Sequence, residues 1–547
     1  MQIQKLKDLN LEGDILTDDA TLTKFSTDAS LFEVRPEIVI APKTVEDIKK
    51  IVKFVAEEKK NDPTISLTAR SAGTCMSGGS LTTSIVLDFM KHFNHIIEVT
   101  PEYAITQPGV FYRDFEKATL KLDRIMPSYP ASKDLCAMGG IVSNNSGGEK
   151  TLTYGKTEKY IMEIKIVMED GEEHTFAPIN YAELQTKIAK NDFEGKLYKE
   201  IFEIVDKNYD MVKAAKPDVS KNSAGYYLWN VWDRENDIFD MTKVICGSQG
   251  TFGMVTEAKI RLVPIKKHSE MVVVFMRNLD NLAQITNTIL KYNPESFESY
   301  DDKTLKLALR FLPEMFKIMK ATNIFKLGFS FWPEALMTLT GGLPKLVLMA
   351  EFTGDDSEQV HAQAQAAYDG IQKYHFRRRL VSETESEKYW TIRRQSFSLL
   401  RNHVHGMRTA PFIDDIIVKP EHMPEFLPKL NNILDKYTGL IYTIAGHVGD
   451  GNFHIIPLMD LHDPKAKQII PEISDQVYTL IHEYHGSITA EHNDGLIRTP
   501  YLDQMYGEKI THLFEVTKNA FDPLNMFNPG KKVHGSLKYA MDHLVKG

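Results

Sequence analysis

Cysteine is scarce in this sequence. Cys75, Cys136 and Cys246 are the only three in 547 residues, far apart and without a CxxC pair. That spacing argues against a disulfide scaffold, an iron–sulfur cluster and a structural zinc knuckle, and it suits a reducing cytoplasm. Long apolar runs are also missing, since no stretch reaches the roughly 18 unbroken apolar residues of a membrane span. The opening MQIQKLKDLNLEGD lacks the apolar run of a signal peptide. The expected location is therefore cytoplasmic, with peripheral contact on the inner face of the membrane left open. Excess positive charge is absent too: 65 Lys and Arg stand against 74 Asp and Glu, a net charge of −9. Nucleic acid is not an expected partner, although a local basic pocket for an anionic substrate remains compatible. Two nucleotide fingerprints are missing as well. Gly73, Gly78 and Gly79 do not fit G-x-G-x-x-G, and Gly155-Lys156-Thr157 lacks the glycine-rich lead-in of a Walker A loop.

What is present is the balance of a packed protein, 42% hydrophobic and 25% charged, in a chain long enough for two to four domains. Ile38-Val39-Ile40 reads as a strand broken at Pro42. Val45, Ile48, Ile51, Val52 and Val55 then recur at helical spacing up to Glu58, with Thr44 as N-cap. Short strands follow at Ile65 to Thr68 and Ile85 to Leu87. A second α/β unit holds Tyr103 to Thr106, a helix from Tyr112 to Leu122 and an alternating strand from Ile161 to Met168. Around Pro264 to His268 the character changes, with strand material at Val272 to Met276 and Phe352 and helices at 279–290 and 359–374. The expected division is 20–268, 269–495 and 496–547.

Three glycine clusters sit beside strands in the first half: 70–80, 137–148 and 247–253. A cofactor pyrophosphate needs backbone N–H groups in a concave arc, which glycine allows to approach. Any one cluster alone reads as a tight turn; three together favour one extended ligand threaded between two small subdomains. The second half carries Gly446-His447-Val448-Gly449-Asp450-Gly451-Asn452-Phe453-His454 and, downstream, Glu491-His492. These residues include enough donors for a divalent ion, and they read equally well as a hydrogen-bonded histidine pair. On one flat strand His447 and His454 would face opposite ways, an objection that a turn at the glycines removes.

These segments resemble the vanillyl-alcohol oxidase/p-cresol methylhydroxylase flavoproteins. The match runs through Ile38–Pro42, Pro108-Gly109 and Gly247-Ser248-Gln249-Gly250-Thr251. The G-H-x-G-D-G-N-x-H and E-H-x-x-G motifs, with Asn528-Pro529-Gly530, are similar to the D-lactate dehydrogenase, glycolate oxidase subunit and D-2-hydroxyglutarate dehydrogenase branch. The resemblance implies an α+β fold: a two-subdomain FAD-binding domain of the p-cresol methylhydroxylase type, an α+β substrate cap, and a C-terminal segment returning to the FAD domain. It implies FAD contacts at Pro42, Arg70, Ser71, Ala72, Gly73, Thr74, Cys75, Met76, Ser77, Gly78, Pro108, Gly109, Ala137, Gly139, Gly140, Ser143, Asn144, Gly148, Gly250, Val255 and Asn528. The first loop offers no histidine for a covalent flavin link, so FAD is expected to be noncovalent.

The same resemblance implies His447, His454 and Glu491 as ligands of zinc, manganese or iron, and His492 as the base at the substrate. Arg393, in a W-x-x-R match, is the first choice to grip a substrate carboxylate and Arg408 the second. Arg393, Arg394 and Arg401 read equally well as the polar face of a helix covering Trp390, Phe397 and Leu400. The expected reaction is oxidation of a D-2-hydroxy acid, D-lactate first, with hydride passing to flavin N5. Electrons would leave to a non-nicotinamide acceptor such as a quinone, a cytochrome or an electron-transfer flavoprotein. D-2-hydroxyglutarate or glycolate, a peroxide-producing oxidase, and a flavin subunit of a larger complex remain alternatives. A homodimer and an iron–sulfur partner subunit also stay open. Relatives often read E-H-G-I-G where this chain has Asn493-Asp494-Gly495, a departure expected to alter substrate fit. Lys419-Pro420 leaves the basic residue of hydroxyglutarate enzymes without a secure position.

Overall fold

The computed structural model describes residues 3–310, 342–403, 407–437 and 440–545. In its first unit, Thr44 caps the helix Val45–Glu58 and Asp47 returns the bond, completing a capping box. The predicted stripe Ile48, Ile51, Val52 and Val55 is buried, and it packs on a four-stranded sheet. That sheet runs in the order Asp14–Leu16, Ile38–Ala41, Ile85–Asp88, Leu67–Arg70, with its last three strands parallel.

The second unit is an antiparallel sheet of five strands, with Met254–Arg261 at its centre between Tyr103–Thr106 and Ile161–Val167. Along Met254–Arg261 buried and half-buried residues alternate, as a strand with one covered face requires. The two units together form the clasp expected of an FAD domain of the p-cresol methylhydroxylase type.

The third unit is an eight-stranded sheet built around His268–Met276, Leu346–Gly354, Ser296–Asp301 and the hairpin strands Ile441–His447 and Asn452–Met459. Its strands are apolar on both faces because both are covered. Val272, Val274 and Met276 pack with helices Leu282–Leu290 and Ser357–Gly370. Met271, Val273 and Phe275 pack instead on Tyr389, Trp390 and Ile392 of helix Glu383–His403. That period of two explains why the sequence reads as an unbroken apolar run. The side chains of Phe397, Leu400 and Arg401 lie outside the described residues.

The C-terminal segment does more than return to the FAD domain. Phe514 and Phe521 of helix Glu508–Phe521 join the core of the second unit. Leu496, Ile497, Leu502, Met541 and Leu544 join the core of the third, together with Leu31 and Phe32 from the N-terminal region. Phe32 pairs with Leu544 in an antiparallel bridge, so both chain ends tie the cap to the cofactor domain. Among the described residues, no helix is long and apolar enough to cross a membrane.

Polar contacts reinforce that junction. Arg394 Nε and Nη2 fork onto Glu149 at 3.1 and 2.6 Å, and Lys150 pairs with Glu295 at 2.9 Å. Behind them Trp390 Nε1 donates to Glu351 Oε1 at 3.3 Å. Burial, reinforced by the charge of Glu295, pushes the Glu351 carboxyl from 4.5 up to about 7. The folded protein therefore holds a proton that the unfolded chain releases near 4.5, so this contribution to stability is lost as pH rises through about 7. Glu351→Gln, which keeps an acceptor for Trp390, should raise the melting midpoint at pH 8 and leave it nearly unchanged at pH 4.5. Equal shifts at both pH values would contradict this assignment.

Candidate active site

A cleft, partly open to solvent, runs between the first two units. Of the residues expected at FAD, Ser71, Ala72, Gly73, Thr74, Cys75, Pro108, Ala137, Gly139, Gly140, Ser143, Asn144, Gly250 and Val255 line it. Gly79, Ser80, Gln249 and Gly253 of the glycine clusters join them, as do Ala69 and Phe89, which had not been singled out. Among the described residues, the backbone N–H groups of Ala72 through Met76 have no partner in the protein. Unused amides in a loop after a strand suit a phosphate cradle. At Gly140 no atom lies within 4 Å of where a Cβ would sit, so the backbone there is open to a ligand.

The remaining expected residues do not line the cleft. Arg70 turns back to donate to the carbonyls of Phe25 at 3.0 Å and Thr27 at 2.6 Å. Its long side chain satisfies buried backbone instead of reaching a pyrophosphate. Gly109 and Gly148 are glycines because a Cβ would lie 2.2 Å from the Phe89 carbonyl and 2.1 Å from that of Tyr129. Gly78, at φ +77°, packs against Phe32. Asn528 ties two cleft loops together, donating to Gly79 O at 2.8 Å and Gln249 O at 2.7 Å. Ser77 Oγ donates to the His492 carbonyl at 3.2 Å. Pro42 and Met76 also stand outside the lining.

The histidines sit on the hairpin 441–459. Its register pairs His447 with Asn452 and Ala445 with His454. Residues 445 and 447 share a face, so His454, opposite 445, lies on the same face as His447. The turn that the glycines supply brings the ring centroids to 5.2 Å. Gly451, at φ +74°, closes that turn with its Cα against the Val418 carbonyl. The His492 ring stacks on His454 at 5.1 Å.

Each ring is held from behind. His447 Nδ1 donates to Glu298 Oε1 at 2.5 Å, leaving Nε2 3.6 Å from Glu491 Oε1. His454 Nδ1 donates to Asp414 Oδ1 at 3.2 Å, and His492 Nδ1 lies 2.7 Å from Asp414 Oδ2. Carboxylates behind Nδ1 fix the ring orientation and leave Nε2 for a ligand, the arrangement that supports metal-binding histidines. Ligand atoms of Asp415, His454, Glu491 and His492 all lie within 4.8 Å of one another. Asp415 is already engaged, accepting from Thr489 Oγ1 at 2.6 Å, from the N–H groups of Glu491 and His492 at 2.7 Å, and from Asn452 at 3.2 Å. It serves as the anchor of the segment 489–492. His447 is outside that group of four, with Nε2 3.6 Å from Glu491 Oε1, and by donor type His447, His454 and Glu491 suit a divalent ion.

Charges alternate through the buried cluster. Lys221 Nζ sits 2.7 Å from Glu491 Oε1 and 3.1 Å from Asp450 Oδ2. Burial opposes ionisation of Glu491, but Lys221 and His447 outweigh it and hold the carboxyl well below its usual range. Burial likewise opposes the charged form of His492, while Asp415 and Asp414 push it up to about 9. In His454 burial prevails over Asp414 and the pKa falls.

Arg393 reaches the cluster through Glu298, with Nε 3.2 Å from Oε2. Arg408 does not. It is exposed on the edge strand Arg408–Thr409 opposite Met459, five residues and thus about 17 Å along the strand from His454. Lys419 is paired with Asp218 at the surface. Glu298, Lys221 and the anchoring Asp414 and Asp415 carried no motif. The only hint was the Asp-Asp pair itself, two adjacent acids entering an apolar run.

Cleft and cluster adjoin. Asn493 Nδ2 donates to Asn144 O at 3.2 Å and Gly247 O at 2.9 Å, and Gly495 N donates to Gln249 Oε1 at 2.8 Å. A Cβ at Gly147 would lie 3.1 Å from Glu491 Oε1. Asn493 is buried at φ +67° and Asp494 pairs with Lys532 at 2.8 Å. The two polar residues that depart from E-H-G-I-G thus bond across the junction, Asn493 to the cleft loops and Asp494 to the C-terminal segment.

Two family models match the chain, a FAD binding domain over residues 36–177 and the C-terminal domain of FAD linked oxidases over 265–532. The chain belongs to the FAD-linked oxidases. Its relatives include D-2-hydroxyglutarate dehydrogenase of Pseudomonas putida, 29% identical over 97% of this chain and 51% of that protein. The chain thus spans about half the length of that relative. Glycolate oxidase subunit GlcD of Bacillus subtilis is 26% identical, covering 93% and 91%. D-lactate dehydrogenase of Anaerostipes hadrus is 24% identical, covering 97% and 96%. Among solved structures, p-cresol methylhydroxylase with substrate bound has the same fold, with a TM-score of 0.66 at 17% identity over 97% and 96% of the two chains. The FAD binding domain match contains most of the residues that line the cleft, which makes the cleft the candidate site for FAD. Gly140→Leu, which meets only open cleft, should leave the melting of the cofactor-free protein intact and remove most of the bound FAD. Unchanged flavin content would contradict the placement of the cofactor.

Proposed function

We propose that this chain oxidises a small D-2-hydroxy acid, D-lactate first, to the 2-keto acid. The observation that carries this reading is the junction of the glycine-lined cleft with a histidine–carboxylate cluster through the segment 489–495. FAD would supply the hydride acceptor, and a divalent ion would supply a Lewis acid whose like charge would also favour neutral His492. His447, His454 and Glu491 would hold that ion. Arg393, with its Nε on Glu298, would bind the substrate carboxylate. His492 takes the hydroxyl proton on Nε2 while Asp414, 2.7 Å from Nδ1, steadies the imidazolium that results. The flavin is held noncovalently: loop 70–80 has no histidine, and burial pushes the Cys75 thiol up, away from its nucleophilic form. Electrons then pass to a quinone, a cytochrome or an electron-transfer flavoprotein.

Similarity to the Pseudomonas putida enzyme over 97% of the chain favours D-2-hydroxyglutarate as a second reading. Its distal carboxylate needs a further cation, and Arg408 lies on the far part of the sheet.

Dye-linked assays on D-lactate, L-lactate, glycolate and D-2-hydroxyglutarate rank the substrates. His492→Ala should keep its yellow FAD and lose about 10²- to 10⁴-fold in turnover. His447→Ala should lose metal and activity together. Full activity in metal-free wild-type protein would overturn the metal assignment, and full activity in His492→Ala would overturn the base.

A further inference from the structure

Glu298 lies in the strand Ser296–Asp301, far in sequence from every motif, and is buried at 1% exposure. Its two oxygens are divided between two partners. Oε1 accepts from His447 Nδ1 at 2.5 Å, and Oε2 faces Arg393 Nε at 3.2 Å. His447 belongs to the ligand set and Arg393 is the residue assigned to the substrate carboxylate. The partners arrive from different elements, the hairpin strand Ile441–His447 and the helix Glu383–His403. Only the carboxylate joins them.

We infer that Glu298 is a positioning residue that sets metal affinity and substrate affinity together. This rests on the function proposed above. An ionised carboxylate is acceptor-only, so it forces the Nδ1–H tautomer of His447 and frees Nε2 toward Glu491. The same group sets a negative charge 3.2 Å from Arg393 Nε, so that it draws the guanidinium toward the cluster as an ion pair, and a neutral amide cannot supply that charge while accepting from His447. Glutamine is nearly isosteric and supplies one acceptor oxygen and one NH₂. If the oxygen serves Arg393, the NH₂ faces His447 Nδ1 and selects the tautomer with Nε2 protonated, which cannot ligate. If the oxygen serves His447, the NH₂ faces a guanidinium N–H and displaces it. Either way one of the two functions is lost. Glu298→Asp keeps both acceptors and the charge, one methylene further back.

The test uses full-length, FAD-loaded protein. Zinc uptake by metal-stripped wild type, Glu298→Gln, Glu298→Asp and Arg393→Ala is measured by equilibrium dialysis with elemental analysis. Flavin content reports folding, and KM and kcat for the best hydroxy acid are measured at saturating zinc. Glu298→Gln should bind zinc about 10- to 100-fold more weakly, as for lost outer-shell partners of a metal ligand, with a raised KM or a lost zinc site and unchanged FAD. Glu298→Asp should recover part of both, and Arg393→Ala should raise KM and leave zinc affinity near wild type. Should Glu298→Gln fail to fold, Glu298→Asp must still weaken zinc binding and raise KM together. Wild-type zinc affinity in a folded Glu298→Gln overturns the inference and leaves the proposed function standing. A wild-type protein that takes up no zinc overturns both.

Discussion

The site depends on one buried carboxylate that organises the backbone carrying the ligand and the base. Asp415 holds the segment 489–492 by three donors at 2.6 to 2.7 Å, with its own backbone at φ +72°. A buried non-glycine residue in that conformation is strained, and such strain persists only where surrounding bonds enforce it. Here they do. Asp415 sets the segment so that the Glu491 and His492 side chains leave toward the hairpin, while Asn493 and Gly495 turn to the cofactor loops. Remove that anchor and the ligand, the base and the domain contact lose their common reference.

Around the anchor, buried charges succeed because each has an opposite neighbour. Arg393, Glu298, His447, Glu491, Lys221 and Asp450 form a chain of alternating sign. Isolated ions would cost several kcal/mol each on burial, so truncating one member leaves its neighbour uncompensated. Lys156, buried under the same segment, spends its three N–H groups on Asn222 O, Ser223 Oγ and Ala490 O, and burial lowers its pKa to about 7. The network therefore resists rearrangement, as a site that fixes hydride direction needs.

Much of the fold was legible in the sequence because it follows local periodicity. The helix Val45–Glu58, the alternating strand Met254–Arg261 and the glycine turn between two histidines each carry their signal in adjacent residues. The reading faltered where long side chains choose between distant partners. Arg70 follows a strand into a glycine loop, and nothing local says that it bonds Phe25 and Thr27 instead of an anion. Glu298 meets a histidine 149 residues away and Lys221 a glutamate 270 residues away, separations at which no spacing rule operates. Asn493 and Asp494 stand beside the proposed base in sequence, and nothing local says that they also bond the Asn144 and Gly247 carbonyls and Lys532.

The central claim is that cleft and cluster act as a single redox centre. Anaerobic flavin absorbance near roughly 450 nm, followed while a D-2-hydroxy acid is added before and after chelation, tests it most directly because it isolates the reductive half-reaction. The account predicts rapid bleaching by one such acid, lost on removal of the metal with FAD still bound and restored by a divalent ion. Bleaching at the same rate in the chelated protein would contradict it.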